Sequence, residues 1–565
     1  MDGFFQSGPS LGNPFAADPL LQAYLRWRLP SDLQETLAPG LLAFGQLMTD
    51  EVQRLGPEAE AHPPRLIPFT PWGERIDQIE VSGAWKRLQD IAAREGLVAL
   101  GHERREGSFS RLHQFARLYL FHPDSAWFTC PLAMTDGAAR AIAEHGDEAL
   151  KERALPHLLS RDPEEFWTSG QWMTERAGGS DVGRTETVAR RHGGSWSLHG
   201  VKWFTSAATS PMALTLARIE GAPAGSAGLS LFYVELADET GRLRNIRVQR
   251  LKDKLGSRAL PTAELELAGT PAILVGEKGH GVRKMASLFN LTRLHNSVCA
   301  ASALRRALAL AKDYAGRREA FGKTLLAHPG HAETLAALQV EWEGTFHLAF
   351  HLAYLLGRLE NGEAGAADAA LLRLLTPVSK LFTAKAASAG VTEAMEAMGG
   401  AGYVEDTGFP ALVRNTLVLP IWEGTTNVLA LDVLRAIGKD GAFEPYCEDV
   451  SARLRKAKSE PLAESARRVR KALEALQEGR KRLDDSEAGS ALARAFAFGL
   501  ARTYIGSLLL EFAAWMAADG LPAANPGRLR AVQVAQRWCR APLAELPEGD
   551  AAHRRVSLEI LGESP

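Results

Sequence analysis

The sequence predicts a mainly α-helical protein with one β domain set in its middle. Two observations carry this reading. Apolar residues recur at helical spacing before residue 170 and again after Gly281, and between them polar and apolar residues alternate with period two. The resulting order is helical, β, helical and helical again, without the strand–helix alternation of a parallel dinucleotide-binding fold. The glycine strings agree. Gly276-Glu277-Lys278-Gly279-His280-Gly281 and Gly399-Gly400-Ala401-Gly402 lack the strand-turn-helix setting of a dinucleotide fingerprint.

Taken in order, residues 1–170 read as an N-terminal helical domain. Asp32-Leu33-Gln34-Glu35 supplies a helix start, and Trp85 to Leu100 has helical apolar spacing. Between them, His62-Pro63-Pro64-Arg65-Leu66-Ile67-Pro68 reads as an extended, proline-fixed connection. Residues 171–280 read as an antiparallel β domain. Ser195 to Phe204, Leu229 to Val234 and Ala263 to Leu267 alternate, with glycine and proline turns between them. Residues 281–440 read as a helical bundle, in which Leu304, Leu308, Ala311 and Tyr314 line one face of its first helix. Residues 441–565 read as an extra helical domain.

Bulk properties exclude several classes. The chain of 565 residues has a net charge of −2, which gives no global attraction to nucleic acid. Its four cysteines, at 130, 299, 447 and 539, form no C-x-x-C pair, so the sequence predicts no metal site and the reduced thiols of a cytoplasmic protein. Met1-Asp2-Gly3-Phe4-Phe5 lacks a basic n-region, so no signal peptide is expected. The apolar run Tyr504 to Met516 reads as too short for a bilayer and better as a buried helix, so no membrane association is expected. One local exception is basic. Arg453 to Arg482 holds eleven basic and four acidic residues, grouped as Arg453/Arg455/Lys456/Lys458, Arg467/Arg468/Arg470/Lys471 and Arg480/Lys481/Arg482. This run reads either as a solvated helix face or as a phosphate-contacting patch.

Chemistry is suggested by four segments. Glu423, in Ile421-Trp422-Glu423-Gly424-Thr425-Thr426-Asn427, is a carboxylate in an apolar setting. Poor solvation disfavours a carboxylate's charged form and suits it to take up a proton. The same segment also reads as a plain helix start. Gln171-Trp172-Met173-Thr174-Glu175-Arg176-Ala177-Gly178-Gly179-Ser180-Asp181 reads as a strand opening into a loop of N–H groups and hydroxyls, suited to a flat heterocycle followed by phosphates, or as a surface turn. Lys202-Trp203-Phe204-Thr205 sets an indole beside a hydroxyl, and Arg317-Arg318-Glu319-Ala320-Phe321-Gly322 is a cationic helix end.

In this order and at these distances the segments resemble the acyl-CoA dehydrogenase family, over about residues 80 to 440. The family's Thr-Glu-x-x-x-Gly-Ser-Asp loop lies at Thr174 to Asp181, its Trp-Ile/Phe-Thr strand at Trp203 to Thr205, its Arg-x-x-Phe-Gly at Arg318 to Gly322, its Gly-Gly-x-Gly turn at Gly399 to Gly402 and its Tyr/Trp-Glu-Gly-Thr at Trp422 to Thr425. The resemblance implies an FAD enzyme with an N-terminal helical domain, a middle β domain and a C-terminal four-helix bundle. Gln171, Met173, Thr174, Gly179, Ser180, Trp203, Phe204 and Thr205 would hold the flavin. Arg318, Gly399 and Gly400 would reach the pyrophosphate of a neighbouring subunit's FAD. Trp422, Thr425 and Asn427 would contact the cofactor beside the base. Glu423 would remove the α proton of an acyl thioester while the β hydride passes to flavin N5, and Arg293 would orient or balance Glu423.

Details resemble the AidB subgroup of that family. Glu396 stands where glutamine is usual, Asn290 where an acid helps hold CoA, and Trp422 where tyrosine is usual, and a further domain follows residue 440. Arg250 to Gly256, Glu393 to Glu396 and Leu431 to Arg435 look particularly like that subgroup. The subgroup implies a homotetramer, a link to the alkylation response and binding of double-stranded DNA. Candidate contacts are Arg453, Arg455, Lys456, Arg467, Arg468, Arg470 and Lys471. The resemblance weakens past residue 440. Two functions follow: a dehydrogenase of a short or branched acyl-CoA, or a DNA-binding flavoprotein with little dehydrogenase activity.

Overall fold

The structure is a computed structural model that describes residues 6–457, 460–483, 487–518, 525–547 and 551–563. Lys458 and the first five residues, part of the basic run and of the leader reading, lie outside the described residues. The chain divides into two compact units. One comprises residues 41–105 and 113–295 and carries the sheet; the other comprises residues 1–40, 106–112 and 296–565 and is essentially helical.

The sheet-bearing unit begins with helices and a hairpin that sequence reasoning read as a simple extended connection. Strands β1 (Arg65–Phe69) and β2 (Arg75–Glu80) pair antiparallel. The prolines that made this stretch look irregular flank β1 or sit near its end, where a missing N–H is tolerated. Asp77 fixes the hairpin to the main sheet, accepting from the Val248 N–H at 3.0 Å. That sheet holds β3 (Ser169–Trp172), β4 (Val188–His192), β5 (Ser195–Ser206), β6 (Met212–Ile219), β7 (Leu229–Glu235), β8 (Ile246–Leu251) and β9 (Thr262–Leu274). Most pairs are antiparallel as expected, but β6 runs parallel to both β3 and β4. The pairing β6–β4–β5–β9–β7 returns to β6, so the sheet closes on itself.

Period-two alternation builds cores on both faces of this sheet. Ala213, Ala217, Phe232 and Val234 face one core with Leu198, Val248 and Leu265. Leu214, Leu216, Leu231 and Tyr233, the intervening residues, face a second core with Ala138, Ile142 and Leu288. In the helical layer Asp136, fully buried on the helix Thr129–His145, accepts from His102 at 2.7 Å, His295 at 2.8 Å and Gln114 at 2.9 Å.

In the helical unit, Pro329–Glu360 is apolar almost all round and therefore central. Ala366–Ala397 and Thr426–Lys439 pack beside it or each other, and so do the extra domain's Phe443–Leu454, Glu487–Ala518 and Pro526–Arg540. Trp538 of the extra domain lies over Gly344, where a Cβ would come within 2.6 Å of the indole. The helix Glu487–Ala518 bears out the buried helix expected around the apolar run and corrects only its length. From Gly489 to Ala518 it is long and apolar enough to cross a membrane, and most of that stretch is buried inside the unit. Arg502 and Glu511 do not end it, because Glu511 is buried against Arg453 and Lys456.

Two buried histidines make the fold acid-sensitive. His122 and His347 are fully buried, and burial pushes each imidazole down to about 3. Neither nitrogen of His347 finds a hydrogen-bond partner among the described residues, and the rings of Tyr24, Trp27, Phe346 and Phe512 surround it. An unfolded imidazole titrates near 6.5, so stability is fully present above about pH 6.5 and is lost progressively as pH falls towards 3. At pH 5 each histidine should account for a loss of about 2 kcal/mol. His347→Phe should flatten the fall in urea midpoint between pH 7 and pH 5.

Candidate functional site

The sheet-bearing unit presents the loop that follows β3. Trp172 and Met173 are buried, Thr174 is half-buried, and Gly178 to Asp181 are exposed. Glu175 and Gly178 close the turn by mutual backbone bonds, with Gly178 at φ 120°. At Gly179 a Cβ would lie 2.4 Å from the Thr174 hydroxyl, so only glycine lets the loop fold back on that side chain.

The loop is fixed from beneath. The Glu175 carboxylate is 3% exposed and accepts from the wholly buried Lys202 ammonium at 2.6 Å, from the Thr187 hydroxyl at 2.6 Å and from the Glu186 N–H at 2.6 Å. Lys202 also donates to the Leu216 carbonyl at 2.8 Å. Burial alone would raise the Glu175 carboxyl, but Lys202, Thr187 and the Glu186 N–H outweigh it and hold it below the ordinary range. Lys202 directly precedes Trp203, whose N–H donates to the Thr174 carbonyl at 2.9 Å. One buried pair thus registers the loop against β5.

Trp203 is half-buried and Phe204 is exposed. The Trp203 ring already carries cations, with Lys252 Nζ 3.7 Å and the Arg176 guanidinium 5.2 Å from its centre. Thr205 is fully buried and donates its hydroxyl proton to the Ala263 carbonyl at 2.7 Å, so towards a ring edge it has only a lone pair to offer. Gln171 is half-buried on β3, and Arg293 lies on the helix Ala286–Arg317. An exposed loop of hydroxyl and N–H groups beside a half-buried indole and two cations fits a flat heterocycle carrying phosphates.

The helical unit carries the remaining candidates. Glu423 lies in the turns before the helix Thr426–Lys439, whose N-cap position is Thr425. The helix-start reading is therefore right about the backbone. The apolar burial expected around Glu423 is only partial, because Ile421 is 63% exposed and Trp422 and Glu423 are half-buried. What the sequence did not reveal is conformation. Glu423 has φ 55°, a left-handed value that disfavours a side chain, and Gly424 follows at φ 100°. The Trp422 indole N–H donates to Asn296 Oδ1 at 2.5 Å, and Lys380 Nζ donates to the Gly424 carbonyl at 2.6 Å. Asn427 accepts from Arg494 of the extra domain at 3.1 Å.

Arg318 is half-buried at the start of a small hairpin, β10 (Glu319–Ala320) and β11 (Lys323–Thr324), whose tip residue Phe321 is 97% exposed. Its neighbour Arg317 is tied to Asp313 and to the Ser7 hydroxyl. Gly399 and Gly400 open the short helix Gly400–Tyr403, with Gly399 at φ 59°.

The basic run divides. Arg453 is 8% exposed and bound to Asp449, Glu511 and Tyr504, so it is a core ion-pair residue and is withdrawn as a nucleic-acid contact. Lys456 pairs with Glu511, and Arg467 and Arg468 share Glu464, all at exposed positions on the basic side. Arg455, Arg470 and Lys471 are exposed and form no ion pair among the described residues. Lys380 was missed, although a single lysine in the apolar stretch Val378-Ser379-Lys380-Leu381-Phe382 is the signal that would have found it.

Comparisons with known proteins place these features. The acyl-CoA dehydrogenase middle domain matches residues 170–270 and the acyl-CoA dehydrogenase C-terminal domain residues 279–438. The N-terminal domain of the adaptive response protein AidB matches residues 9–164, and the "Acyl-CoA dehydrogenase 11 C-terminal domain-like" family residues 441–559. Acyl-CoA dehydrogenase family member 11 of Caenorhabditis elegans is 42% identical, over 99% of this chain and 92% of its own length. Putative acyl-CoA dehydrogenase AidB of Escherichia coli is 33% identical, over 71% of this chain and 74% of its own. The crystal structure of C. elegans ACDH-11 in complex with C11-CoA superposes with a TM-score of 0.95 at 42% identity, covering 99% of this chain and 97% of that one. The apo form of Bd2924 superposes with a TM-score of 0.84 at 48% identity, covering 90% and 100%. Resemblance therefore continues past residue 440, where the sequence reading had it fade.

Lys202→Met should leave the Glu175 carboxylate buried without its cation. The expected result is a loss of about 3–5 kcal/mol of stability in denaturant titrations, with FAD binding weakened at least about tenfold in a fluorescence titration.

Proposed function

Because the chain belongs to the acyl-CoA dehydrogenase family, we propose that it is an FAD-dependent dehydrogenase of acyl-CoA thioesters with Glu423 as its base. The observation that carries this reading is the conformation of Glu423. A glutamate is held at a left-handed φ between a hydrogen-bonded tryptophan and a glycine, in the segment matching the family's base. Strained backbone at a polar residue is characteristic of functional sites.

The residues have separable tasks. Thr174, Ser180 and the Gly178–Gly179 turn offer hydroxyl and N–H donors to the cofactor, and Trp203 and Met173 offer apolar contact. When bound, FAD supplies the acceptor for the hydride that leaves Cβ. Glu423 takes the proton from Cα, and Arg293 is assigned the balancing cation. Arg318, Gly399 and Gly400 serve a neighbouring subunit's cofactor in a homotetramer, a reading supported by the fully exposed Phe321 and the exposed Tyr403 beside them in sequence. Because the C. elegans relative was crystallised with C11-CoA, the substrate range extends from the short or branched thioesters first expected to chains of that length.

Glu423→Gln should retain FAD and thioester binding yet slow anaerobic bleaching by acyl-CoA about 10²–10⁴-fold. A wild-type flavin that no chain length bleaches would refute the dehydrogenase reading.

A second reading, DNA binding linked to the alkylation response, is supported by exposed Arg455, Arg470 and Lys471. Against it, Arg467 and Arg468 are already engaged with Glu464, and Arg453 is buried. If DNA binds here, log affinity should fall linearly with log salt, and Arg470→Glu with Lys471→Glu should flatten the slope. Affinity indifferent to salt and to these substitutions would remove this reading.

A further inference from the structure

We propose that Asn296 and Lys380 are positioning residues that hold Glu423 in its left-handed conformation by gripping the residue on either side of it. The inference rests on the assignment of Glu423 as base.

A non-glycine residue at φ 55° costs of order 1–3 kcal/mol and persists only where its surroundings over-determine it. Two bonds supply that constraint, from two different helices. On the N-terminal side, Asn296 on Ala286–Arg317 accepts the Trp422 indole proton at 2.5 Å. An indole N–H can only donate, so this bond also fixes which way the Asn296 carboxamide faces. On the C-terminal side, Lys380 on Ala366–Ala397 donates to the Gly424 carbonyl at 2.6 Å. That carbonyl belongs to the Gly424–Thr425 peptide, the second after the glutamate, so holding it restrains the ψ of Gly424; with the Trp422 indole fixed as well, both ends of the short span around Glu423 are held.

Both anchors are buried, Asn296 at 4% exposure and Lys380 at 0%. Their positions are therefore set by core packing and not by solvent. Neither bond uses the Glu423 carboxylate. The pair thus acts on the segment around the glutamate through Trp422 and Gly424.

The test uses the full-length, FAD-loaded protein with C11-CoA as the probe, comparing Lys380→Met, Lys380→Arg and Asn296→Ala. Methionine fills the lysine's space without its proton donors. Flavin reduction by saturating thioester should slow about 10- to 100-fold in Lys380→Met and Asn296→Ala, with thioester affinity and FAD content unchanged. Lys380→Arg should recover part of the rate. Independently of activity, amide hydrogen exchange across residues 419–427 should accelerate in the same two variants and stay unchanged in the β strands. Variants that reduce flavin and exchange amides at wild-type rates would overturn the proposal. A wild-type protein that no thioester bleaches would sink the dehydrogenase reading instead, and the exchange data would still decide whether the two residues hold the loop.

Discussion

The sheet-bearing unit depends on one buried ion pair, Glu175 with Lys202. Two charges removed from water are destabilising unless nearly every donor and acceptor is engaged. Here the carboxylate collects an ammonium, a hydroxyl and backbone N–H groups, and the ammonium collects a carbonyl as well. The pair joins a loop, β5 and β6, so the exposed glycines sit on a rigid base although they themselves touch little. Glu175 lies within a motif usually read for its hydroxyls and glycines. Its own part is to be hidden.

The helical unit solves a related problem differently. Glu423 holds an unfavourable backbone angle in a short turn, not in a sheet that an ion pair can register. Restraint comes instead through the neighbouring indole and the following carbonyl, with the core itself as the clamp.

How much of this the sequence disclosed depended on distance along the chain. The order of domains was readable because periodicity is local, and Thr174, Ser180, Trp203 and Glu423 could be named as candidates because they lie in short motifs. The β1–β2 hairpin was not, because prolines mask strand periodicity while the pairing that defines it is with another segment. Lys380 and Asn296 escaped because their partners lie 44 and 126 positions away. Arg453 misled for the converse reason. Charge runs are visible in one dimension, whereas the acids that neutralise Arg453 come from its own helix at Asp449 and from Glu511 on a distant one.

Trp538 lying over Gly344 bears on how the protein could have come to its present length. A helix that must carry glycine so that a tryptophan from the C-terminal region can pack against it has been shaped around its neighbour. The same holds for the helix Glu487–Ala518, greasy enough for a lipid bilayer yet sheltered by protein. Cutting the chain after the bundle would not recover a smaller, ordinary relative. It would leave a bare apolar wall prone to self-association. The last 125 residues are better regarded as a wall of the house than as a room added to it.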